Sequence, residues 1–201
     1  MVMRKPLSVR FMTLTALLTA AAVVLQYLEF PVPMFIPPFV KVDFSDLPAI
    51  LAAFLVSPVS GVTVCLLKNV IHIAVSQSAG VGELANFLLG VCMVLPSWLI
   101  YRIKPSKANA AAAMAVGSFI AAVLSIFINY YITYPFYQQL MPIDAIIEMY
   151  RDLNDGVGSL WDALIWFNAP FTFVKFALCS LIVFFIYKPL AKATKKESLR
   201  P

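Results

Sequence analysis

The chain alternates between long apolar runs and short polar breaks, and the run lengths predict its elements. Apolar stretches cover residues 9–28, 46–57, 60–77, 84–101, 109–134 and 163–187. A hydrocarbon core about 30 Å thick takes roughly twenty helical residues to cross, so five of these stretches are of spanning length. The stretch 46–57 is shorter and is expected to be tilted or re-entrant. Breaks fall at Pro31–Pro38, Ser57–Gly61, Gln77–Gly82, Arg102–Lys107 and the acidic segment 135–162. The reading is an all-α integral membrane protein: one domain over 1–201, a bundle of six transmembrane helices. The first run follows Arg4, Lys5 and Arg10 and passes through Thr19-Ala20-Ala21-Ala22, a pattern that a cleaved secretory signal also has. Its continuation to about Leu28 favours a retained spanning helix.

Charge adds an orientation. Eleven of the fifteen Lys and Arg lie in three clusters: Arg4, Lys5 and Arg10; Arg102, Lys104 and Lys107; Lys188, Lys192, Lys195, Lys196 and Arg200. Nine of the ten acids lie elsewhere, at Glu29, Asp43, Asp46 and Glu83 and in the stretch Asp144, Glu148, Asp152, Asp155, Asp162. Basic loops stay on the cytoplasmic side, which puts both termini and the Arg102–Lys107 loop inside. Six spans bring every basic cluster inside and both acidic segments outside; five or seven break that agreement.

Composition excludes several classes. At 62% hydrophobic and 12% charged, the chain is too apolar for a soluble domain. Its net charge of +5 is absorbed by membrane-flanking loops, so no basic face is left for nucleic acid and the bilayer is the expected partner. Cys65, Cys92 and Cys179 are odd in number and lie inside apolar runs, so neither a disulfide framework nor a metal site is expected. The chain has no G-x-x-x-x-G-K-S/T, H-E-x-x-H or G-x-S-x-G, hence no phosphate-binding loop and no recognisable catalytic residues. An enzyme is not expected.

Polar side chains inside apolar runs are costly, which makes each a site candidate. Lys68, Asn69 and His72 lie on the third run, with Lys68 and His72 on one face. For the lone His72 a packing role is the simpler reading, and Lys68 has partners within reach at Asp43 or Asp46. Glu83 and Asn86 share a face of the fourth run. Asn129 and Tyr130, with Tyr134 one turn on, sit near the outer end of the fifth. Asn168, Thr172 and Lys175 form a stripe on the sixth at i, i+4, i+7. The common depth of these groups predicts one outward-facing pocket of amides, hydroxyls and a cation, suited to a flat, polar-edged ligand. Ala16 and Ala20, extended by Thr13, form a small-residue stripe, and from spacing alone an internal helix contact is its simpler use. The repeated alanines of 108–113 predict close packing of the fifth helix.

These residues have a family likeness. Val40-Lys41-Val42-Asp43-Phe44-Ser45-Asp46-Leu47-Pro48-Ala49-Ile50, Leu67-Lys68-Asn69-Val70, Ala85-Asn86-Phe87, Asn129-Tyr130 and Pro170-Phe171-Thr172-Phe173-Val174-Lys175 occur in that order. Together they resemble the riboflavin-specific substrate-binding (S) component of energy-coupling factor (ECF) transporters. The resemblance implies a bacterial plasma-membrane protein that binds riboflavin as transported substrate, with no resident cofactor. It implies ligand contacts from Lys41, Val42, Asp43, Phe44, Glu83, Asn86, Asn129, Tyr130, Thr172 and Lys175. It further implies that Ala16 and Ala20 meet a membrane coupling (T) subunit, with two cytoplasmic ATPases supplying energy. Two alternatives stay open: an S component for another vitamin or flavin, and a proton-coupled secondary carrier. The carrier would need a membrane-buried acid, whereas every acid here is placed at a helix end or in a loop.

Overall fold

The structure, a computed structural model, describes residues 9–197; Arg4, Lys5 and Arg200 of the basic clusters lie outside them. Helix α1 (Val9–Tyr27) is followed by a minimal antiparallel pair, β1 (Phe30–Pro31) and β2 (Lys41–Val42), which closes the proline-rich first loop. Then come α2 (Asp46–Leu55), α3 (Pro58–His72), α4 (Val81–Ile103) and α5 (Lys107–Ile128). Short α6 (Tyr134–Tyr137), α7 (Ile143–Arg151), short α8 (Leu160–Ala163) and long α9 (Ala169–Glu197) complete the chain. Two π-helical turns, Asn129–Thr133 and Leu164–Asn168, join α5 to α6 and α8 to α9. Among the described residues, five helical stretches are long and apolar enough to cross a membrane: Val9–Tyr27, Pro58–Val75, Val81–Ile103, Lys107–Tyr137 and Leu160–Leu190.

Local chemistry explains most boundaries. Ser57, Ser106 and Ser159 each cap a helix by accepting a hydrogen bond from the backbone N–H three residues on, and Pro58 occupies the first turn of α3, where no N–H is missed. The expected break at 135–162 is not all loop. It holds α7, whose apolar face buries Ile146 and Tyr150 while Asp144, Glu148 and Arg151 stay exposed.

The second expected span, 46–57, is only the ten-residue helix α2, and the reason is geometric. Asp46, its first residue, approaches Gly90 so closely that a Cβ there would lie 3.4 Å from Asp46 Oδ1. Gly90 lies nine residues into α4, roughly 13 Å down at 1.5 Å per residue. Helix α2 therefore begins deep in the bundle, and the first loop fills the space above it. Its packing is tight because the facing residues are small. Ala49, Ala52 and Ala53 are buried, and a Cβ on Gly61 of α3 would lie 2.8 Å from both Ala53 Cβ and Val94 Cγ1. The alanine-rich start of α5 packs on one side only: Ala110 and Ala113 are buried, Ala111 and Ala112 exposed.

Candidate functional site

The first loop, the ends of α1 and α3, the start of α4, the α5–α6 junction, α7 and α9 enclose a cavity of about 370 Å³ at the Glu83 end of the bundle. That volume is in the range of small-molecule sites. Seven expected ligand residues line it: Lys41, Asp43, Glu83, Asn86, Asn129, Thr172 and Lys175. Val42, Phe44 and Tyr130 do not. In an extended segment alternate residues face opposite sides, so Lys41 and Asp43 turn to the cavity while Val42 pairs with Phe30 and Phe44 packs on the core. Successive helical residues are about 100° apart, so Asn129 faces inward while Tyr130 turns out and stacks on Trp161, ring centroids 4.4 Å apart. The stripe Asn168, Thr172 and Lys175 lines the cavity throughout.

The floor is ionic. Lys175 Nζ donates to Asp43 Oδ2 at 2.8 Å and lies 3.1 Å from Asp46 Oδ2. Lys68 Nζ donates to Asp46 Oδ1 at 2.6 Å and to Ser45 Oγ at 2.5 Å. The Ser45 backbone N–H and hydroxyl both donate to Asp43 Oδ1. Burial alone would raise the Asp43 pKa; the neighbouring Lys175 and Lys68 charges outweigh it and hold the carboxyl far below the usual carboxylate range. One expectation changes here: Asp43 and Asp46, placed by sequence in a loop and at a helix end, are buried because the loop folds inward. The Lys175 cation is paired with both.

At the rim, His72 Nδ1 lies 2.9 Å from Glu83 Oε1, and Glu83 Oε2 accepts from Ser76 at 2.7 Å. Lys41 pairs with Glu29 at 2.6 Å. His72 has a satisfied role, yet it also lines the cavity. Behind the opposite wall, Tyr150 donates to Asn168 Oδ1 at 2.6 Å and Asn168 Nδ2 donates to the Tyr134 hydroxyl at 3.3 Å. With the Tyr150 proton so used, Tyr134 donates across the 2.5 Å contact between the two phenols. This triangle fastens α7 to α6 and to the π-helical turn that leads into α9; burial raises the Tyr150 pKa well above the ordinary phenol value, so it stays a donor. Asn69 is likewise internal, accepting from Gln26 at 3.0 Å. By contrast, neither Asn86 nor Asn129 has a side-chain hydrogen bond within the described residues, and both face the cavity. The contribution of α7, through Ile146, carried no signal in the run pattern because it arises from a segment otherwise polar.

Ala16 and Ala20 are exposed. Helix α1 turns Thr15, Thr19, Ala22 and Gln26 toward the bundle instead, so the small-residue stripe is not an internal contact.

A bundle of apolar helices around a ligand-sized cavity with apolar walls and several polar side chains defines a multi-pass membrane protein with a candidate small-molecule site. Residues 10–187 match the family model for the ECF transporter, substrate-specific component, and the chain belongs to that family. It is 30% identical to the riboflavin transporter RibU of Staphylococcus aureus (strain TCH60) over 90% of each chain. It is 28% identical to the riboflavin transporter FmnP of Bacillus subtilis (strain 168), over 90% of this chain and 92% of that one. The solved structure of the S component of a bacterial ECF transporter superposes with a TM-score of 0.73 at 28% identity, covering 92% of this chain and 98% of the other. The family is a transporter's substrate-specific component rather than an enzyme.

Proposed function

We propose that this chain is the riboflavin-binding S component of an ECF-type importer in a bacterial plasma membrane. It captures the vitamin from outside and works with a membrane coupling subunit and two cytoplasmic ATPases. The observation that carries this reading is the pair of unpartnered amides, Asn86 and Asn129, facing a cavity whose charged groups are already paired. The pyrimidine edge of an isoalloxazine offers adjacent donors and acceptors, and each Asn supplies the complementary acceptor and donor. An ammonium has three donors; Lys175 gives one to Asp43, forms an ion pair with Asp46 without a hydrogen bond to it, and has donors left for a ring carbonyl or nitrogen. Lys41, Asp43 and Thr172 are the partners for the ribityl hydroxyls. The paired floor suits an uncharged ligand, since a phosphate would need free cations. The names of the two curated relatives support the same substrate.

In this reading α2 together with the inserted first loop makes the sixth crossing, which returns both termini to the cytoplasm and leaves the cavity open outward. The exposed Ala16–Ala20 stripe of α1 is the contact for the coupling subunit, since small residues let another helix approach closely. Purified protein in detergent, titrated with riboflavin and followed by quenching of flavin fluorescence, tests the substrate. Saturable one-to-one binding that FMN competes for poorly is expected; no binding sinks the riboflavin assignment.

A further inference from the structure

Lys68 is 0% exposed and is not part of the cavity lining, yet it touches the same ionic cluster as the lining residues Asp43 and Lys175. Two ammoniums and two carboxylates share this floor: Lys68 from α3, Lys175 from α9, Asp43 from the first loop and Asp46 from α2. Among the described residues, the Cys65 and Cys179 thiols also face the cluster, from α3 and α9, and α4 presents Gly90, with no side chain at all. The division of partners is asymmetric. Lys68 takes Ser45 Oγ and Asp46 Oδ1, while Lys175 takes Asp43 Oδ2 and the second Asp46 oxygen. Ser45 in turn holds Asp43 through its backbone N–H at 2.8 Å. A buried charge is tolerated only when paired and hydrogen-bonded. Without Lys68, two carboxylates would compete for the one ammonium that also faces the ligand, and Ser45 would lose the group that anchors it to α3.

We infer that Lys68 is a positioning residue for ligand binding: shut off from the cavity, it holds Ser45 and Asp46 so that Lys175 and Asp43 meet the ligand as a balanced pair in a fixed place. The inference rests on the cavity being the ligand site.

The test is riboflavin titration of the purified full-length protein at pH 8 and pH 5, comparing wild type, Lys68→Met and Lys68→Met/Asp46→Asn. Methionine keeps the length of the stem without its charge. Each variant is compared with wild type at the same pH, because His72 also lines the cavity. Lys68→Met should bind at least about tenfold more weakly at pH 8, because a buried carboxylate has lost its partner. It should recover at pH 5, where that carboxylate takes a proton instead. The double variant removes one charge of each sign and should bind within about fivefold of wild type, without pH dependence. Wild-type affinity in Lys68→Met overturns the inference. So does a loss that is equal at both pH values and is not repaired by Asp46→Asn, which would make Lys68 a packing residue. If Lys68→Met does not fold, the double variant decides: restored binding supports the role and lost binding overturns it. Failure of the wild type to bind riboflavin overturns the substrate reading alone. Lys68 is then judged by thermal unfolding, where Lys68→Met should gain stability from pH 8 to pH 5 relative to wild type, and no gain overturns the inference.

Discussion

Two sets of polar side chains, one at and beneath the cavity floor and one on its walls, differ in who satisfies them. On the floor, Lys68, Lys175, Asp43, Asp46 and Ser45 are bonded to one another. On the walls, Asn86 and Asn129 have side-chain amides with no protein partner among the described residues. Both sets look alike in sequence, as costly polar groups inside a membrane protein. The first holds the first loop and α2 to α3 and α9; the second is poised for something else. A satisfied network is stabilising only while complete, whereas an unsatisfied group facing a cavity is where a ligand gains a hydrogen bond without breaking one.

The contrast can be broken most strongly at the floor. Lys175→Met leaves two buried carboxylates sharing Lys68, and breaking a buried pair costs about 3–5 kcal/mol. Riboflavin affinity should fall more than about 100-fold by fluorescence titration and the melting temperature should drop with it, because one residue serves both binding and packing. Asn129→Ala should separate the two: affinity falls about 10- to 100-fold, the weight of one or two hydrogen bonds, with the melting temperature nearly unchanged. A melting shift as large as that of Lys175→Met would erase the distinction drawn here. Gly90→Ala does the reverse, since its Cβ would lie 2.9 Å from Cys65 Sγ beneath the floor. Overpacking there should cost about 1–3 kcal/mol of stability, read by thermal unfolding, with a smaller effect on affinity.

Tyr130→Leu should leave affinity within about threefold, since Tyr130 stacks on Trp161 outside the cavity; such aromatic pairs are worth about 0.5–1.5 kcal/mol to stability. The smallest expected effect is that of pH on the floor. The folded Asp43 pKa lies below its unfolded value, so the stability this carboxylate contributes is complete above the unfolded pKa of about 3.9 and is lost as pH falls below it. The difference in melting temperature between wild type and Asp43→Asn should therefore be flat from pH 8 to pH 5 and shrink below about pH 4. A difference that changes near neutrality would mean the lysines do not control Asp43.

Much of the site was legible along the chain. The i, i+4, i+7 spacing of Asn168, Thr172 and Lys175 placed all three on the cavity side of the last helical stretch, because helical geometry sets which residues share a face. The same geometry argued against Tyr130 once Asn129 was inside. Legibility ended where the chain leaves regular structure. Whether Lys41 or Val42 points inward depends on the pairing of β2 with β1, and Ile146 reaches the cavity from α7, a helix that Tyr150 ties to Tyr134 and Asn168.

What the sequence determined by itself follows from local and one-dimensional physics. Run length against membrane thickness marked the long helices, and side-chain spacing on a helix marked the faces that carry the site. Which polar groups neutralise each other was decided only in three dimensions. Asp46 and Lys175 are far apart in the chain and became partners because the first loop folds into the bundle and starts α2 beside Gly90. The exposure of Ala16 and Ala20 was settled in the same way, by which side of α1 the other helices occupy. Charge pairing and burial depend on distances between remote segments, and periodicity along one segment carries no record of those distances.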